Sequence, residues 1–190
     1  PGVSKYALMF NNLLDVEILR NVINSLKNSS LSTKSFLIIG GGPAGVELAC
    51  KVFDLLGQNT EIHLIERQAR LLPQGKAFNQ EQSLKAIEVR GIRVHLLTEV
   101  LEVTADNVYL KSVNTEDPYN FQIPHQGVIW TAGTKPVYPE IIPMPSMSKS
   151  RIRIDSNLNV FGIENMMAIG DVSFNEDTLC LPTAQVAMQQ

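Results

Sequence analysis

The stretch Phe36-Leu37-Ile38-Ile39-Gly40-Gly41-Gly42-Pro43-Ala44-Gly45-Val46-Glu47-Leu48-Ala49 constrains this chain more than any other. Four apolar residues, glycines spaced G-x-G-x-x-G and a helix-forming run predict a buried strand, a tight turn and a helix. Gly40 permits the turn, Gly42 lets backbone approach a diphosphate, and Gly45 lets the helix sit close on the strand. The helix N-terminus, opened by Pro43 and Ala44, then directs amides and its positive dipole end at phosphates. Glycine turns are common, so the pattern gains weight from the strand beyond the helix. This second strand, Glu61-Ile62-His63-Leu64-Ile65-Glu66, ends on a carboxylate placed to bind adenosine ribose hydroxyls and to repel a 2′-phosphate. That favours NADH over NADPH. Arg67 beside it pulls the other way, because an arginine accepts phosphate. Glu47, in the first helical turn, has two readings: a carboxylate favoured by the dipole, or one that faces a ligand.

The flanking sequence fits an α/β protein. Residues 11–27 predict an amphipathic helix with Leu14, Ile18, Val22 and either Leu26 or Ile23 on its apolar face, followed by a polar linker. The helix from Pro43 places Val46, Ala49, Cys50, Phe53 and Leu56 on one face and stops at Gly57. Cys50 reads as a structural thiol on that face. A helix over 77–90 with Leu84 and Ile87, closed by Gly91, leads into a strand at 92–97, a second step of a parallel sheet. Alternating residues over 99–130 predict an antiparallel meander. Residues 126–136 read as another strand, with Trp130 in the core, running into a glycine turn. Residues 136–147 read as a loop, residues 152–160 as a hairpin, and Met166–Asp171 as a buried strand. Pro182 opens a last helix.

With 190 residues, 44% hydrophobic and 18% charged, the chain is long enough for a substantial core. A net charge of −3 provides no general attraction to nucleic acid. The sequence has no membrane-span-length apolar run, and Cys50 and Cys180 form no C-x-x-C, which suggests a reducing, cytoplasmic compartment. His63, His95 and His125 have no metal-ligand spacing, so no metal site is expected. Pro1-Gly2-Val3 lacks an initiating Met, and Ala184–Gln190 reads as an unfinished helix, so the chain is expected to be an internal stretch of a longer protein.

Four stretches together resemble the pyridine nucleotide–disulfide oxidoreductases: Gly40–Ala49, Val128-Ile129-Trp130-Thr131-Ala132-Gly133, Met167-Ala168-Ile169-Gly170-Asp171, and Leu181–Gln190. The last, of form A-Q-x-A-x-Q, is similar to the membrane-associated branch, the type II NADH:quinone oxidoreductases. The resemblance implies a Rossmann-like NADH-binding domain over 34–134, inserted into a discontinuous FAD-binding domain whose pieces are 1–33 and 135–190. It further implies that Gly40, Gly42 and Gly45 hold the NADH diphosphate and Glu66 the ribose. Glu47 and Gly133 would lie toward the nicotinamide. Gly170 and Asp171 would bind FAD, and the helix carrying Thr183 and Ala184 would face the flavin. Gln185 and Gln189 would line a quinone pocket.

The implied activity passes a hydride from NADH to flavin and electrons to a membrane quinone, with no side-chain acid, base or nucleophile. The implied partners are quinone, the inner face of a membrane as a peripheral protein, and a second copy in a homodimer. Three departures stand beside the resemblance. No second G-x-G-x-x-G and no C-terminal membrane segment are present, and Gly57 falls one residue later than is usual for the family. Two alternatives remain open: a ferredoxin, rubredoxin or disulfide reductase, or an NADH-binding module without turnover.

Overall fold

A computed structural model describes residues 1–73, 75–114, 117–133 and 136–177. The chain divides into two compact units, Pro1–Gly133 and Thr134–Gln190. The first unit begins with a short helix α1 (Val3–Tyr6) and strand β1 (Leu8–Met9), followed by α2 (Leu13–Lys27), β2 (Lys34–Ile39), α3 (Pro43–Leu56) and β3 (Thr60–Ile65). Then come α4 (Ala77–Val89), β4 (Arg93–His95), β5 (Thr98–Val103), β6 (Asn107–Ser112), β7 (Asn120–Pro124) and β8 (Gly127–Trp130). One sheet is wholly parallel, in the order β1-β8-β2-β3-β4. The other, β5-β6-β7, is the expected antiparallel meander.

The parallel sheet is covered on both faces, which is why its strands read as unbroken apolar runs. Alternation along the strand sends Phe36 and Ile38 to a core shared with Val46, Ala49 and Val52 of α3 and with Leu19 and Ile23 of α2. Leu37 and Ile39 go to a second core with Val103, Val108, Leu110 and Ile123 of the meander. The fold is therefore α/β, in three layers: helices, parallel sheet, meander. The sequence boundary at 33/34 is not a packing boundary, since β1 and α2 belong to the same unit as β2 and α3.

Helix positions agree with expectation better than helix faces do. In α2 the buried residues are Leu19 and Ile23, with Val22 and Leu26 half-buried, whereas Leu14 and Ile18 are exposed. Leu84 of α4 is likewise exposed, and Ile87 alone of that helix is buried. The N-terminus of α2 carries a reciprocal cap that the apolar periodicity does not reveal. Asn12 accepts from the Asp15 backbone N–H at 3.0 Å, and the Asp15 carboxylate accepts from the Asn12 N–H at 3.2 Å. Asn12→Ala is expected to lower stability by about 1 kcal/mol, read as a shifted urea midpoint.

In the second unit, β9 (Met147–Ser148), β10 (Arg151–Ile154) and β11 (Ser173–Asn175) form a sheet in the order β11-β10-β9. The expected hairpin turn is present: Ile154 bridges Val160, and the Asp155 carboxylate accepts from the Asn157 and Asn159 backbone N–H groups. The expected buried strand over Met166–Asp171 is not. Among the described residues Met167 makes a single bridge, to Asn159; Met167 and Ile169 are exposed, and Gly170–Val172 is a 3-10 turn. Apolar composition predicts burial only where a neighbouring strand supplies a ladder, and here that ladder is one residue long.

Candidate functional site

The strand–turn–helix at 34–56 is built by local sterics. Gly40 adopts φ of 113°, a conformation side chains resist. A Cβ on Gly45 would lie 1.8 Å from the Gly40 carbonyl oxygen, so only glycine allows α3 to approach β2 this closely. A Cβ on Gly42 meets nothing within 4 Å among the described residues. Gly42 is the N-cap of α3, Pro43 takes the first helical position, and no side chain caps the helix. The first-turn amides, which have no intrahelical acceptor, are thus left for an anion. Thr131, at the exit of β8, braces the turn from behind: its hydroxyl donates to the Ile39 carbonyl at 2.9 Å and lies 3.3 Å from the Gly40 carbonyl.

Above this turn, at the C-terminal ends of β2, β3 and β8, lies a cavity of about 590 Å³. Gly40, Gly42, Glu66, Arg67, Thr131, Ala132 and Gly133 contribute to its walls, together with Trp130 and the start of β5. This is where open α/β sheets bind ligands. Glu66 is half-buried. Its carboxylate accepts from the backbone N–H of Gly41 at 2.6 Å and of Gln68 at 2.7 Å. An ionised carboxylate offers about four lone-pair sites, so acceptor capacity remains for ligand hydroxyls. Glu66 therefore fastens the glycine turn to the β3 exit while also presenting negative charge to the cavity. The Leu72 N–H donates to the Gly41 carbonyl at 2.8 Å, and Leu71 packs where a Gly41 Cβ would go. A segment that reads only as a loop in the sequence is thus a second brace of the turn.

Pro43 and Ala44 are exposed at the helix start. Glu47 does not line the cavity; it borders a shallower depression between α3 and α4 with Cys50, Lys51 and Asp54. Glu47 is exposed on the side of α3 that borders α4. Cys50 is half-buried against the helix-side core, and burial pushes its thiol above its ordinary pKa, consistent with a structural thiol. Trp130 is half-buried at the cavity wall, not enclosed in the core, and its indole N–H donates to the Ala132 carbonyl at 2.7 Å. Gly170 and Asp171 lie on the 3-10 turn of the second unit, where the Asp171 carboxylate is exposed. Thr183, Ala184, Gln185 and Gln189 lie outside the described residues.

Among the described residues no group of three or more His, Cys, Asp or Glu could hold a metal ion. The histidines nonetheless depart from expectation: His63 Nδ1 and His95 Nε2 stand 3.0 Å apart on neighbouring strands. Burial, the facing His95 and the nearby Arg93 lower the His63 pKa to about 4. Burial and Arg93 lower that of His95, and burial lowers that of His125.

A family model described as pyridine nucleotide-disulphide oxidoreductase matches residues 1–190. The chain belongs to this family. Its relatives include demethylphylloquinone reductase NdbB of Synechocystis, 35% identical, with all of this chain aligned to 47% of that protein. An alternative NAD(P)H-ubiquinone oxidoreductase of Arabidopsis thaliana is 26% identical, over all of this chain and 40% of that one. The chain thus spans two-fifths to half the length of these relatives. Among solved structures, NDH2 from Plasmodium falciparum in complex with NADH superposes with a TM-score of 0.72 at 20% identity, covering 92% of this chain and 41% of that one. The likeness extends the α/β, Rossmann-like fold of the family to this chain. Thr131 carries a partial sequence signal, since it lies in a stretch that resembles the family. Glu99, Gln68 and Pro73, which also line the cavity, carry none, because only the fold brings them there. No helix among the described residues is long and apolar enough to cross a membrane.

Proposed function

We propose that the protein to which this chain belongs is a flavin-dependent NADH dehydrogenase that delivers electrons to a membrane quinone. The observation that carries this reading is the open cavity above Gly40 and Gly42, with Glu66 at its side and uncapped helix amides at its floor. In this reading residues 34–134 receive NADH. Its diphosphate lies over Gly42 against the start of α3, its adenosine ribose meets Glu66, and its nicotinamide end extends toward Gly133. Residues 135–190 contribute to the FAD domain, while β1 and α2 of residues 1–33 pack with the sheet that receives NADH. Asp171 presents an exposed acceptor-only group on its turn, which suits hydroxyl donors such as those of a ribityl chain. Bound FAD would supply the two-electron relay; this chain's residues place the nicotinamide dinucleotide and shape the field around it.

The quinone as acceptor is supported by the names of the relatives and by the A-Q-x-A-x-Q motif of Gln185 and Gln189. We extend the same reading to a peripheral position on the inner face of a membrane and to a homodimer. The test uses the full-length protein. Glu66→Ala should raise the KM for NADH about tenfold, the scale of losing a hydrogen bond to a charged group, and should narrow the preference over NADPH. An unchanged cofactor ratio would remove the role given to Glu66. Faster turnover with a ferredoxin or a disulfide than with a quinone analogue would replace the acceptor.

A further inference from the structure

One residue on the wall of this cavity belongs to no motif. β5 begins beside the exit of β3, because the Thr98 N–H donates to the Glu66 carbonyl at 3.0 Å and the Leu97 N–H to the Gln68 carbonyl at 3.2 Å. That backbone stitch sets Glu99 on the cavity wall next to Glu66 and Arg67. Glu99 Oε1 stands 4.0 Å from Arg67 Nη1, and Lys111 is its cross-strand neighbour on β6. Arg67 is otherwise the group at this wall best suited to a phosphate, being cationic and fork-shaped.

We propose that Glu99 is a specificity residue: it occupies Arg67 and adds a second carboxylate to the wall beside Glu66, so that a 2′-phosphate finds repulsion in place of a receptor. The inference rests on the reading that this cavity takes NADH. A phosphate monoester carries about 1.5 to 2 negative charges near neutral pH, whereas the ribose hydroxyl of NADH carries none. Glu99 therefore acts on one cofactor and is nearly silent toward the other. Arg67 is largely exposed and Glu99 partly so, which makes the effect moderate and sensitive to salt.

In the full-length protein, Glu99→Gln should raise kcat/KM for NADPH about tenfold and change that for NADH less than about twofold. The gain should shrink with added salt. Arg67→Ala in the Glu99→Gln background should remove most of it, the remainder being the repulsion that Glu99 no longer exerts. As a readout independent of turnover, adenosine 2′,5′-bisphosphate should displace NADH about tenfold better from Glu99→Gln than from the wild type, while AMP should not. An unchanged NADPH/NADH ratio in Glu99→Gln, with NADH oxidation intact, would overturn the proposal. So would a gain that survives Arg67→Ala undiminished, since Glu99 would then not act by occupying Arg67. Absence of NADH oxidation in the wild type would overturn the cavity reading itself.

Discussion

Gly45→Ala is expected to cost about 2–4 kcal/mol of stability, whereas Gly42→Ala should change stability by less than about 1 kcal/mol and weaken NADH binding at least about tenfold. The two glycines sit three residues apart in one motif yet answer to different constraints. A methyl on Gly45 would meet the Gly40 carbonyl oxygen at 1.8 Å, its carbon at 2.9 Å and the Thr131 hydroxyl at 3.0 Å. Two of these are backbone atoms at the end of β2, so no rotamer change relieves the contact. Relief requires α3 to move off the sheet, which opens the packing of Val46, Ala49 and Val52 on Phe36 and Ile38. Gly42 has φ of −74°, which alanine adopts freely, and its Cβ points into open space. In the proposed reading that space is where the diphosphate lies, so the methyl costs the fold little and the ligand much. The sole tryptophan, Trp130, lines the cavity and reports both quantities. Its fluorescence follows urea unfolding of the first unit and also its titration with NADH. Equal NADH affinity in Gly42→Ala and wild type would show that the opening above Gly42 is not the diphosphate site.

The legibility of this site depends on the range over which each constraint acts. The glycine turn could be read because its main demands are local, a positive φ at Gly40 and the approach of Gly45 to the Gly40 carbonyl. The crowding of Gly40 by Thr131 and Ala132 is not local, and no spacing along the chain reveals it. The carboxylate at Glu66 could be read because a strand and a helix of ordinary length fix where β3 ends. Its second task, holding the Gly41 and Gln68 amides, could not be, since it depends on how the β3 exit folds back. Periodicity misreads the α2 face for a different reason. Leu13, Leu14, Val16, Ile18, Leu19, Val22, Ile23 and Leu26 contain two overlapping apolar stripes, and periodicity alone does not say which one docks. Docking on the sheet layer selects Leu19 and Ile23 and leaves Leu14 at the surface. Glu99 and His95 carry no spacing signal as partners for a third reason: backbone bonds at the β3 exit bring Glu99 to Arg67, and β3–β4 register brings His95 to His63.

The histidine pair yields the other large effect: unfolding free energy should fall by about 3 kcal/mol between about pH 7.5 and pH 4, and His63→Gln should flatten that slope. His63 on β3 and His95 on β4 share one hydrogen bond at 3.0 Å, with ring centroids 5.3 Å apart. Phe121 of β7 lies against His95 at 5.9 Å between ring centroids. Glu61, the carboxylate nearest to an imidazolium at His63, is committed to Arg93 through bonds of 2.9 and 3.1 Å and reaches only 3.8 Å from His63 Nε2. Burial and the facing His95 therefore win over this carboxylate, and the folded His63 pKa drops from 6.5 to about 4. Because the folded value is the lower one, the unfolded chain binds the extra proton between these two pH values. The stabilisation is complete above about pH 6.5 and is lost as pH falls toward about 4, and the loss does not grow further below that. The lowered pKa values of His95 and His125 act in the same direction. Urea unfolding followed through Trp130 at several pH values measures the slope, and any constant offset from the substitution cancels in it. An equal slope in His63→Gln and wild type would mean that the pair titrates in the folded protein as it does in the unfolded chain. The buried hydrogen bond between β3 and β4 would then have to hold a charge, which the apolar surroundings of the sheet disfavour.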